Sequence, residues 1–209
     1  MPRHRHAHAY LALVLEGGYV ERGGRGRWQV EPGEIVCHGP FEAHDDIEVS
    51  AGTRIFNLAL ATLPDLPAVF TIDNPDDLLR LHEGDTLDAN DVLRSARASP
   101  RRYCDWIDEL ADHLVTNPIA IGDWCKVNNR SPAYVSRAFS KTFGTSPAAF
   151  RLEAQVQQAL RLIDGRELSL AGIAAEAGFA DQAHMTRAVK AVTGQTPGKR
   201  QRVKSIQDR

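Results

Sequence analysis

A stretch of about thirty residues occurs twice in this 209-residue chain, 50 positions apart, and a repeat of that kind restricts the fold more than composition does. The later copy, Ser169 to Lys199, reads as helix, tight turn, helix, stop. Ser169 is placed to cap a first helix with Leu170, Ile173, Ala174 and Ala177 on its apolar side. Gly178 supplies a turn in which a positive φ costs little. Asp181 caps a second helix whose stripe is Met185, Ala188, Val189 and Val192, and Gly194 and Pro197 stop it. Shifted back 50 positions, Ile119 to Phe150 lies over this pattern. Gly122 falls on Gly172, Arg137 on Arg187, Ala138 on Ala188, Gly144 on Gly194 and Pro147 on Pro197. In the earlier copy Ser131-Pro132 gives a cap followed by proline at the first helical position. The stretch between the copies, Pro147 to Ile163, is apolar at Phe150, Ala154, Val156, Leu160 and Ile163, which predicts one connecting helix.

Two short helices on a glycine turn form a helix-turn-helix hairpin, whose second helix enters a DNA major groove. The predicted second helices leave Ser136, Arg137 and Lys141 free in the first copy, and Gln182, His184, Thr186, Arg187 and Lys190 in the second. Arg137 and Arg187, at equivalent places, are read as DNA contacts. Ser136, Gln182 and Thr186 are placed to read bases, and Lys141 and Lys190 to hold phosphates. Ala133 and Ala183 offer at most contact with a thymine methyl group. Trp124, Phe139 and Phe179 are read as core. A connecting helix of this length sets the two second helices about one DNA turn, roughly 34 Å, apart. Charge agrees: from Pro100 onward there are 16 Lys and Arg against 11 Asp and Glu, and before it 9 against 16. A basic half beside an acidic half suits a polyanion-binding domain joined to something else.

The first 72 residues read as β. Tyr10–Leu15, Tyr19–Arg22, Arg25–Val30, Ile35–His38, Ile47–Val49 and Arg54–Ala61 are short runs divided by glycine-rich turns, as in a barrel or sandwich. His4, His6 and His8 alternate and would share one face of a strand, with His44 able to join them from across the domain. Three or four neutral imidazoles together suit one divalent transition metal such as zinc. Glu16 lies too far along to complete the set. Residues 73–99 read as a helical linker, with helices from Pro75 and over Asp91–Ala98. Ser99-Pro100 is the predicted boundary, and Tyr103–Val115 the first helix of the second domain. Cys37, Cys104 and Cys125 lack CxxC spacing and are expected to be reduced thiols. The opening MPRHRHAHAY has histidines where a leader would need an apolar run, and no segment approaches the roughly 20 apolar residues of a membrane span, so a cytoplasmic protein is expected.

The run Ile173-Ala174-x-x-Ala177-Gly178-Phe179-x-Asp181-Gln182-x-His184-x-x-Arg187 to Thr196-Pro197, with Ser131-Pro132-x-Tyr134-x-Ser136-Arg137-x-Phe139 to Ser146-Pro147, resembles the DNA-binding domain of AraC-type transcription regulators. The run from His4 through Tyr10 to Gly17, followed by Pro32-Gly33 and His44, resembles the cupin-like sensor domain of the same family. The resemblance implies an α+β chain of two domains: a cupin-like β-barrel over 1–72, and an all-α, seven-helix domain with two helix-turn-helix units over 100–209. It implies a homodimer formed through the 73–99 segment, a small-molecule or metal effector, double-stranded DNA as partner, and activation of transcription rather than catalysis. Two other readings stay open. One is a metal-dependent cupin enzyme fused to a DNA-binding domain. The other is a ligand-independent DNA-binding protein whose β domain only dimerises.

Overall fold

The computed structural model describes residues 2–61, 65–84, 88–116, 120–165 and 167–207, without the side chains of 203–207. Ile119, where the earlier copy of the repeat begins, lies outside the described residues. The chain divides into two compact units, Met1–Asp108 and Glu109–Arg209. No helix among the described residues is long and apolar enough to cross a membrane.

The first unit holds two sheets. One has the order β1 (His4–Arg5), β6 (Ala43–Ile47), β3 (Tyr19–Gly23), β4 (Gly26–Val30). The other has the order β7 (Arg54–Leu60), β2 (Ala9–Glu16), β5 (Ile35–His38), β8 (Val69–Thr71), β9 (Arg97–Ala98). Among the described residues the strands form two sheets and do not close into one barrel. The run Ala9–Glu16 is apolar on both sides because β2 is buried on both faces, between β5 and β7. Its Ala12 and Val14 meet Tyr19, Trp28, Val30, Val36 and Val69 between the sheets. Its Leu11 and Leu13 meet Ile35, Cys37, Phe70, Ile72 and Leu78 on the far face. There α1 (Asp76–His82) and α2 (Ala89–Leu93) lay Leu81, Val92 and Leu93 over the sheet. Leu78, Leu81 and Leu93 of the 73–99 segment therefore serve the β core of their own unit.

Two local expectations differ from the observed elements. Ile47–Val49 reads as a strand, but β6 runs over Ala43–Ile47. The polar run His44-Asp45-Asp46 joins the ladder because Asp45 sits opposite Arg22 and accepts its Nε–H at 2.8 Å. The helix expected over Asp91–Ala98 ends at Leu93, and Arg97–Ala98 instead pairs with β8. Ser99-Pro100 falls inside the first unit. Ser99 Oγ donates to Glu34 at 2.6 Å, the amide of Gln29 donates to the carbonyl of Arg101, and the amide of Tyr103 donates to that of Arg27.

The second unit takes in the end of α3 (Trp106–Thr116) and then α4 (Ile121–Val127), α5 (Pro132–Phe143), α6 (Pro147–Gly165), α7 (Leu170–Glu176), α8 (Gln182–Thr193) and α9 (Pro197–Gln207). The connecting helix α6 packs against α5, α7, α8 and α9. Its Phe150 meets Phe139 and Phe143 of α5 with ring centroids 5.2 and 5.1 Å away.

Candidate nucleic-acid interface and a buried histidine cluster

The repeat is present as two hairpins, α4–α5 and α7–α8. The Ser131 hydroxyl accepts from the amide of Tyr134, the Asp181 carboxylate from that of His184, and the Ser169 hydroxyl from that of Gly172. Gly144 and Gly194 end α5 and α8 in the left-handed region, at φ 66° and 73°. Val135, Phe139 and Phe143 of α5, and Met185 and Val189 of α8, are buried. Their opposite faces expose Ser136, Arg137 and Lys141 on α5, and Gln182, Arg187 and Lys190 on α8, with Thr186 half-buried. Neither Arg137 nor Arg187 forms an ion pair among the described residues. Trp124, Phe139 and Phe179 are buried.

The two hairpins are not exact copies. Helices α5 and α8 keep the 50-residue offset, Pro132 against Gln182, but α4 and α7 are 49 apart, Ile121 against Leu170. Gly122 therefore matches Ala171 and not Gly172, which corrects the alignment read from sequence. The buried pairs Trp124 with Ile173 and Cys125 with Ala174 follow the 49-residue offset. The first turn is one residue shorter. Asn129, at φ 49°, takes there the left-handed conformation that Gly178, at φ 75°, takes in the second. Gln155 of α6 donates its side-chain amide to the carbonyl of Gly178, tying the second turn to the connecting helix.

Residues 124–202, which enclose α5, α6 and α8, match the family model of a helix-turn-helix domain. The Msm operon regulatory protein of Streptococcus mutans is 23% identical over 107 residues, 51% of this chain and 38% of that protein. The arabinose operon regulatory protein of Escherichia coli is 28% identical over 97 residues, 46% of this chain and 32% of that protein. Residues 124–202 thus form a helix-turn-helix domain. It spans about a third of the length of the curated relatives it matches. The DNA-binding domain of AdpA, solved in complex with a target DNA, is 19% identical over 48% of this chain and 93% of that chain, with a TM-score of 0.44, a likeness too low to carry weight.

The unit before the helix-turn-helix domain contains a second group of interest. Strand β1 ends at Arg5, so the alternation of His4, His6 and His8 is not carried by one strand. The imidazoles of His4 and His6 gather on His44, with ring centroids 4.4 and 5.6 Å away, while His8 is exposed and stays outside. Ligating nitrogens of His4, His6 and His44 lie within 4.8 Å of one another. Two partners go unnamed by sequence reasoning. His38, opposite Tyr10 in the β2–β5 ladder, brings its ring 4.0 Å from that of His44. Glu21 of β3 places Oε1 3.2 Å from His44 Nδ1. A glutamate carboxyl group is therefore present beside the histidines, where sequence reasoning finds none. The only sequence signal for either is inward alternation: Glu21 follows Tyr19, and His38 follows Val36, by two positions on their strands. Burial, reinforced by the neighbouring imidazoles, lowers the pKa of His38 well below the usual range and that of His44 to about 3. Burial, with Asp46 beside it, raises that of Glu21.

Proposed function

We propose that this protein is a sequence-specific, double-stranded-DNA-binding regulator of transcription, acting as an activator, in which a signal received by the β unit alters DNA binding. The observation that supports the reading is the pair of equivalent helices α5 and α8. Each is capped at its start, stopped by a left-handed glycine, buried on one side and exposed on the other with arginine at the same position. Arg137 and Arg187 serve as the principal DNA contacts, Ser136, Gln182 and Thr186 as base readers, and Lys141 and Lys190 as phosphate contacts. The names of the curated relatives, both operon regulatory proteins, agree with this.

The test is selection of bound sequences from a random duplex pool by the full chain, followed by footprinting on the winner. An enriched motif in two parts, one helical turn between centres, supports the reading. Binding with no enriched sequence, removed by moderate salt, would leave a non-specific polyanion binder instead. A reporter carrying the selected site then decides the sign of regulation.

A further inference from the structure

Most buried acids of the β unit are visibly neutralised. Glu34 accepts from Ser99 Oγ, from Arg101 and from the amide of Glu31. Asp108 is held by Arg27 and Asp45 by Arg22. Glu21 is different. It is 5% exposed, and its Oε2 is buried with no hydrogen-bond donor. Its Oε1 faces His44 Nδ1, which is likewise buried without a hydrogen bond. Asp46, another buried carboxyl, adds its Oδ1 at 4.0 Å from the same nitrogen. Leaving a carboxyl oxygen and an imidazole nitrogen without a partner in a protein interior is costly unless something completes them.

We infer that Glu21, His38 and His44 form a binding site for one first-row divalent metal ion, zinc in the simplest case, with His44 ligating through Nδ1. The three residues are buried, and one ligating atom from each lies within 4.8 Å of the others. Ligands of a tetrahedral zinc at about 2.0–2.1 Å stand roughly 3.3 Å apart, close to the 3.2 Å between Glu21 Oε1 and His44 Nδ1. The other nitrogen of His44 is engaged: Nε2 lies 3.2 Å from the Tyr10 hydroxyl. That bond fixes the ring and leaves Nδ1 for the ion, as an outer partner of a metal-bound histidine does. It also separates this site from the outer trio, because His4 and His6 compete for the same imidazole from a side open to solvent. Glu21 and His38 also line one small cleft, together with Arg25, Cys37 and Glu42.

The site does not depend on the DNA-binding reading. The full chain, purified without a polyhistidine tag and stripped with chelator, is titrated with zinc and, separately, with cobalt(II). Binding is followed by elemental analysis, melting temperature and the cobalt absorption spectrum. The expected result is one equivalent bound, a higher melting temperature, and at least a tenfold loss of affinity in both Glu21→Gln and His38→Gln, with His8→Ala unchanged. Glu21→Gln keeps the side chain's shape, so a metal-free melt near that of the parent protein distinguishes lost ligation from lost folding. Absence of a bound equivalent overturns the inference. So does affinity retained in Glu21→Gln and His38→Gln but lost in His4→Ala and His6→Ala, which assigns the ion to the outer histidines. Binding to the selected duplex, measured on the same samples, reports on the regulator reading separately.

Discussion

Arg137 and Arg187 sit at the same turn of their two helices, exposed and without an ion pair among the described residues. Arg187→Ala is expected to weaken binding to the selected duplex by about 1–3 kcal/mol, while binding to unrelated duplex changes far less. Equal losses on both duplexes would reduce Arg187 to a backbone contact. Lys190, exposed at the far end of the same face, is expected on removal to lower the slope of log affinity against log salt by about one; an unchanged slope takes it out of the phosphate contacts. In the β unit, Arg27 bonds Asp108 at 2.6 and 2.8 Å and reaches Asp105 at 2.8 Å, and the Asp108 side chain is only 2% exposed. Arg27→Met strands that buried carboxylate and should cost about 3–5 kcal/mol in a denaturant melt. A loss below about 1 kcal/mol would mean that the segment around Asp108 swings out to solvent instead.

At the scale of the element, the helix termini carry the information. Ser131 and Asp181 each satisfy an amide in the first turn of the helix that faces DNA in this reading. Asp181→Ala should cost about 0.5–2 kcal/mol of stability, and Ser131→Ala a similar amount; thermal melts of the full chain check both. Caps, glycine stops and apolar spacing are local, so the four helices of the two hairpins and the helix between them were legible in the sequence. The one-residue difference between α4 and α7 was not. A 50-residue ruler laid along the chain cannot see a shorter turn, and only the burial of Trp124 and Cys125 reveals it. The β unit was legible where alternation or glycine turns mark a strand. It was misread at β6 and β9, whose polar residues become strand by pairing with distant partners.

At the scale of the whole molecule, the charge split joins an acidic unit to a basic one. Within the basic unit, α6 has 19 residues and spans about 28 Å, packed on both hairpins. The spacing of α5 and α8, the two helices read as facing DNA, is therefore set by their packing on α6. Inserting five base pairs between the two parts of the selected site turns one part to the opposite face of the duplex and should reduce affinity at least tenfold in a gel-shift titration. Equal affinity would show that one hairpin alone binds. The sequence by itself determined the double hairpin, its caps and its exposed basic faces, because helix signals act within a few residues of one another. It also marked histidines near the start of the chain as candidates to gather. Only the tertiary structure decided which ones: β1 ends too soon for His8 to join, while β3 and β5 deliver Glu21 and His38. Strand order and register set those neighbours, and both arise from contacts between residues far apart in the chain.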